Sequence, residues 1–124
     1  MTMKMLEGRA NGTEPHQRAR RHKLMPKDIL GKLPKLGTTD GQDATVYLKL
    51  FSPIGRMTLY VTEFDGDDTL YGYMVSPLGP DCDEWGYSSL SEMAHLLVIG
   101  GMPGVERDCY WSPKKVSEIE EICG

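Results

Sequence analysis

The amino-acid sequence predicts an α+β domain: a small antiparallel sheet of about four strands in a hairpin meander, packed with two or three helices. Residues 45–51, 57–62 and 69–75 are rich in β-branched and aromatic side chains, and the second of them alternates apolar and polar positions with the period of two that a half-buried strand requires. Clusters of Gly, Pro and Asp separate these stretches. Ser89 followed by Glu92 has the spacing of a helix start whose free N–H groups are capped by side chains.

The elements follow in order. Residues 1–24 carry Gly8, Gly12, Pro15 and the run Arg18-Ala19-Arg20-Arg21-His22-Lys23, with few large apolar groups, and are expected to form a flexible basic arm ahead of a single domain over 25–124. Pro26 suits a first helical turn, which places Ile29, Leu30 and Leu33 on one face until Pro34 ends the helix. Thr45–Phe51 reads as a strand with Val46, Leu48 and Leu50 on one face. Met57, Leu59 and Val61 alternate with Thr58, Tyr60 and Thr62 in a second, and Thr69–Val75 completes a hairpin across the turn at residues 65–68. A helix from Leu90 is expected to bury Leu90, Met93, Leu96 and Leu97, stopping at Gly100-Gly101 and Pro103. Val105–Trp111 reads as a fourth strand. A last helix from Ser112-Pro113 would carry Val116, Ile119 and Ile122, although its lysines come early and its glutamates late, against the helix dipole.

At 124 residues the chain has room for one domain. No apolar stretch is long enough to cross a membrane, no secretory leader is recognisable, and Cys82, Cys109 and Cys123 are odd in number without a CxxC pair. A cytoplasmic protein with free thiols, no membrane contact and no cofactor is therefore expected. The net charge of −4 hides an asymmetry. Residues 1–35 hold nine Lys and Arg against three acids, whereas the remaining 89 residues hold five against fifteen, a net of −10. A body this acidic repels a nucleic-acid backbone, so nucleic acid is expected to bind only through the arm, at Arg18, Arg20, Arg21 and Lys23.

Several motifs resemble an uncharacterised family, domain of unknown function 2958. They are Leu24-Met25-Pro26-Lys27 with Leu33-Pro34, Thr62-Glu63-Phe64-Asp65-Gly66, Gly86-Tyr87 leading to Ser89-Leu90-Ser91-Glu92, and Glu106-Arg107-Asp108 with Tyr110 and Pro113. The resemblance spans residues 24 to about 118. It brings no activity or catalytic residue, and implies an accessory gene carried by plasmids and integrative elements of bacteria.

Glu63 and Asp65 are two apart on a strand, with Asp67 and Asp68 at the adjoining turn, and four close carboxylates suit a hard cation. The stretch lacks the ligand order of an EF-hand, so a solvated hairpin tip is the plainer expectation and no metal is assigned. Glu106 and Asp108 share a face with Arg107 opposite, an arrangement that suits pairing between strands. A metal-dependent hydrolase or nuclease using Glu63, Asp65, Glu106 and Asp108 is one alternative, yet no Glu-x-Lys occurs anywhere in the chain. Cysteine catalysis needs a nearby histidine, and His95 is the only one inside the domain. The glycine-rich stretch 100–104 lacks the Gly-Lys-Ser or Gly-Lys-Thr of a phosphate loop.

The expected function is therefore non-enzymatic: a protein-binding accessory protein of a mobile element that occupies a surface on a host protein or nuclease complex. Its sharpest form is a counter-defence inhibitor of the anti-CRISPR or antirestriction sort, acting through an acidic surface of Glu63, Asp65, Asp67, Asp68, Asp81, Asp83 and Glu84. A DNA-binding role for the basic arm is the second alternative, and the oligomeric state is left open.

Overall fold

The computed structural model describes residues 13–123. Its centre is a five-stranded antiparallel sheet in the order β5-β4-β3-β2-β6, formed by β2 (Leu48–Phe51), β3 (Thr58–Phe64), β4 (Thr69–Val75), β5 (Glu84–Ser89) and β6 (Glu106–Arg107). A separate ribbon pairs β1 (Thr45–Val46) with β7 (Lys114–Lys115). The helices are short: α1 (Gln17–Arg20), α2 (Lys27–Leu30), α3 (Leu90–His95) and α4 (Glu120–Cys123).

Alternation along the strands sends side chains to two faces, and both are covered. On one face Leu48, Leu50, Leu59, Val61, Phe64 and Leu70 pack with Leu24 and Met25 from the N-terminal segment, Leu90 and Ala94 from α3, and Val105. On the other, Val46, Tyr60, Val75 and Ile119 form a smaller core with Trp111, Val116 and Ile122 from the C-terminal segment. The expected strand over 45–51 breaks at Tyr47 for this reason. Val46 serves the second core and pairs with β7, while Leu48 and Leu50 serve the first and pair with β3, so the three do not share a face.

A register shift between Val61 and Glu63 sets the rest of the sheet. Strict alternation would put Glu63 beside Leu59 and Val61 in the main core. The extra residue, Thr62, turns Glu63 to the opposite face, opposite Tyr71, and returns Phe64 to the core opposite Leu70. The strands approach closely here, since a Cβ at Gly72 would lie 2.0 Å from the Tyr60 carbonyl oxygen and 2.9 Å from Val61 Cα. Only glycine fits.

The N-terminal segment corrects the expected boundary at residue 24. Glu14 and Arg20 are buried as an ion pair at 3.3 Å, with both side chains fully enclosed. Arg20 also donates to the carbonyls of Pro15, Ala94 and Val105, while the Glu14 carboxylate accepts from the Leu24 and Met25 N–H groups. His22 Nε2 accepts from the Arg107 N–H at 3.0 Å, and burial first, then Arg107 and Arg20, hold its pKa below the ordinary value. The docked segment therefore begins by Glu14, and residues 1–12 of the expected arm lie outside the described residues.

Other expectations change at their ends. The helix from Pro26 is a single turn at Lys27–Leu30. Helix α3 stops at His95, so Leu96 and Leu97 are exposed instead of extending the buried stripe. The fourth strand shrinks to Glu106–Arg107. The last helix is replaced by β7, a 3-10 turn at Val116–Glu118 and the short α4, although Val116, Ile119 and Ile122 do face the core.

Candidate protein-binding site

Strands β4 and β5 pair without a break from Met74↔Glu84 to Thr69↔Ser89. Tyr71 and Tyr73 on β4 lie opposite Tyr87 and Trp85 on β5, so all four rings stand on the face away from the main core. They interlock. Tyr71 stacks on Trp85 with centroids 5.8 Å apart and planes at 19°, leans on Tyr87 at 5.0 Å, and Trp85 meets Tyr73 edge-on at 5.6 Å. Such pairs contribute about 0.5–1.5 kcal/mol beyond the area they bury, which rigidifies the cluster without hiding it. Trp85 remains 38% and Tyr87 69% exposed.

Beside the rings runs an open groove of about 250 Å³, walled by Tyr71, Trp85 and Thr62 on the sheet and by Thr39, Asp40 and Gln42 on a loop. Glu63 positions that loop. Its carboxylate accepts from the Gly37 N–H at 2.7 Å, the Thr39 N–H at 3.0 Å and the Thr39 hydroxyl. Burial alone would push the Glu63 carboxyl up, but these donors outweigh it and hold it below its ordinary range. Burial, with Asp40, Tyr87 and Glu63 nearby, raises the Tyr71 hydroxyl.

The carboxylates expected to form one acidic surface are largely engaged inside the domain. Glu63 is buried in the loop contact just described. Asp65 accepts from the N–H groups of Asp67, Asp68 and Thr69 and closes the hairpin turn. Asp68 binds the Ser89 and Ser91 hydroxyls and the Ser91 N–H, joining Ser89 in capping α3. Asp83 forms a two-pronged pair with Arg56 at 2.7 and 2.8 Å and accepts from the Ser76 N–H, which brings its pKa down to about 2. Asp67, Asp81 and Glu84 are exposed.

The remaining candidates do not assemble with them. Among the described residues no three His, Cys, Asp or Glu side chains converge as a metal site requires. Glu106 and Asp108 lie by the far edge of the sheet, where Asp108 accepts from the Tyr110 N–H and faces Lys49 at 3.9 Å. His95 is exposed and bonds the Ser91 carbonyl, and Cys82, Cys109 and Cys123 are free and exposed. Of the basic run, Arg18 and Arg21 are exposed, Arg20 is enclosed, and the Lys23 carbonyl receives Arg107 Nε. A second cleft of about 330 Å³ holds Lys49, Arg56, Asp108 and Glu121, whose charges are met by neighbours: Lys49 by Asp108, Arg56 by Asp83, and Glu121 by the Tyr60 hydroxyl.

Against known proteins, residues 23–121 match the family model described as Protein of unknown function (DUF2958). The chain belongs to that family. No curated protein and no solved structure matches significantly. The DUF2958 match includes the whole aromatic cluster, the Glu63 loop contact and the docked residues Leu24 and Met25. It begins after Glu14 and Arg20, the ion pair that holds those two residues. In the sequence Trp85 and Tyr87 stand among many aromatic residues that would suit a protein interface if exposed beside carboxylates, but core packing is the default for such rings and nothing in the pattern joins these two to Asp40. The signal that finds them is Trp-x-Tyr facing Tyr-x-Tyr on adjacent strands, and it appears only once β5 is known to be a strand.

Proposed function

We propose that this protein is a non-enzymatic, protein-binding accessory protein whose contact surface is the aromatic face of β4 and β5 with Asp40, the carboxylate that walls the groove beside it. The observation that carries it is the exposed, interlocked cluster of Tyr71, Trp85 and Tyr87. Rigid aromatic anchors surrounded by polar groups are the residues that dominate protein interfaces. The acidic setting disfavours single-stranded nucleic acid, which stacks on similar platforms only where the groove is basic. The surrounding sequence supports that: from Met57 to Glu106 there are nine acids and no Lys or Arg.

Within this proposal the accessory role belongs to a mobile genetic element, and the host surface is one that tolerates an acidic visitor, including the nucleic-acid-binding face of a defence nuclease. Because Glu63, Asp65, Asp68 and Asp83 are engaged internally, inhibition by charge would rest on the exposed Asp40, Asp81 and Glu84. The test is affinity capture from the native host with the wild type and with Trp85→Ala/Tyr87→Ala, followed by direct binding to each captured protein. A partner lost by the double variant and retained by Tyr110→Ala, which removes another exposed ring, is the expected result. Equal binding by both variants would overturn the assignment of this face, and unchanged inhibition of candidate nucleases after charge reversal at Asp40, Asp81 and Glu84 would overturn the inhibitor form.

A further inference from the structure

The free border of the sheet specifies the kind of partner. Strand β5 is an outer strand, so alternate residues turn their N–H and C=O groups away from β4 with no strand beyond to receive them among the described residues. Folded proteins usually blunt such a border with lysine, proline, a bulge or extreme shortness. The opposite outer strand, β6, is two residues long. By contrast β5 runs for six residues, Glu-Trp-Gly-Tyr-Ser-Ser, in unbroken register, with a charge only at its first residue and no lysine, proline or bulge.

What stands beside this border is chemically one-sided. Trp85 and Tyr87 keep part of their rings exposed on one face of the strand, and the groove next to them is walled by Tyr71 and the exposed Asp40. Ring faces close to carboxylates attract a Lys or Arg side chain through both the quadrupole and the charge. A second copy of this chain would bring the same acids to the border and meet repulsion.

Resting on the protein-binding proposal above, the geometry points to an extended, Lys- or Arg-bearing segment of another protein that pairs with β5 as a sixth strand and lays a cationic side chain against Trp85 and the Tyr71–Asp40 groove. Backbone pairing supplies the register, and the alternate side chains facing the rings supply the selectivity.

The experiment uses the full chain and a labelled peptide of about ten residues alternating Lys and Val, whose one face is wholly cationic. Its companions are the same peptide N-methylated on alternate residues along either border, and a Glu–Val peptide. Fluorescence anisotropy is expected to show binding of the Lys–Val peptide, loss by roughly tenfold or more when the pairing border is N-methylated, and none for Glu–Val. Tyr87→Lys, which puts a cation on an exposed position, should weaken binding by a similar factor while the domain stays folded, its melting temperature lowered only by the few degrees that the lost contact with the Tyr71 ring accounts for.

No binding at millimolar Lys–Val peptide, or equal binding by all N-methylated forms, would overturn the pairing. Equal N-methylated binding that is still lost in Trp85→Ala/Tyr87→Ala would leave the aromatic face standing as the contact surface while removing the strand. A dimer in sedimentation equilibrium that Tyr87→Lys dissociates would assign the border to a second copy and overturn the proposal.

Discussion

Single residues decide how the groove beside the aromatic cluster is held. Glu63 is 2% exposed, and each of its oxygens accepts from the 37–39 loop. Glu63→Gln replaces one acceptor oxygen by an NH₂ group that faces a donor, so a loss of about 1–3 kcal/mol is expected in denaturant unfolding at pH 7. The pH dependence has a definite sign. The folded carboxyl sits below its ordinary value of 4.5, so its stabilisation is fully present above that value and is lost as pH falls through the lower folded value. The difference between wild type and Glu63→Gln should therefore narrow in acid, and a gap that stays constant down to pH 3 would show that the carboxylate charge is not what holds the loop. Gly72 makes a sharper demand. A methyl group there would press on the backbone of Tyr60 and Val61, which cannot swing aside as a side chain would. Gly72→Ala is expected to cost more than the roughly 1–3 kcal/mol of ordinary overpacking, and a midpoint within experimental error of wild type would mean that the bulge relaxes freely.

Elements differ in how far they were legible, and the reasons are physical. Strand β4 was readable to the residue, because its aromatic alternation and its turn agree. Helix α3 was readable at its start, where Ser89 Oγ accepts from the Glu92 N–H, but not at its end: Leu96 continues the helical period yet takes an extended conformation, φ −64° and ψ 126°. Strand β5 escaped notice because its large side chains point outward beside a glycine, the reverse of a buried strand's pattern, and for that reason the site itself was hidden. The N-terminal segment is not legible from composition. Its arginines read as a solvated run, whereas Arg20 joins Glu14 beneath the main core and ties residues 14–25 to α3 and Val105. A chain beginning at residue 25 would lose Leu24, the ion pair and the acceptor for the Met25 N–H together. Breaking a buried pair by removing one partner costs about 3–5 kcal/mol, so Arg20→Ala in the full chain should lower stability by that order, and the truncated chain by more. Equal melting temperatures for the full and truncated chains would place the docked segment outside the cooperative unit.

At the scale of the whole molecule, the acidic excess has two fates. Part of it is structural, closing a turn at Asp65, capping α3 at Asp68 and pairing with Arg56 at Asp83, where the charges are satisfied locally and contribute little to the distant field. Another part, Asp40, Asp81 and Glu84 among it, faces solvent and acts at range. If a basic segment docks on β5, the long-range part steers its approach, while the rings and the backbone pairing govern its escape. Salt should then separate the two rates: raising ionic strength shortens the screening length from about 10 Å at 0.1 M to about 3 Å at 1 M. The association rate of the Lys–Val peptide is expected to fall several-fold over that range, with a much smaller change in dissociation. Stopped-flow anisotropy measures both. An association rate indifferent to salt would show that the exposed acids take no part in recruitment, and a dissociation rate that rises as steeply as association falls would show that the bound state is held by charge alone and not by the strand and its rings.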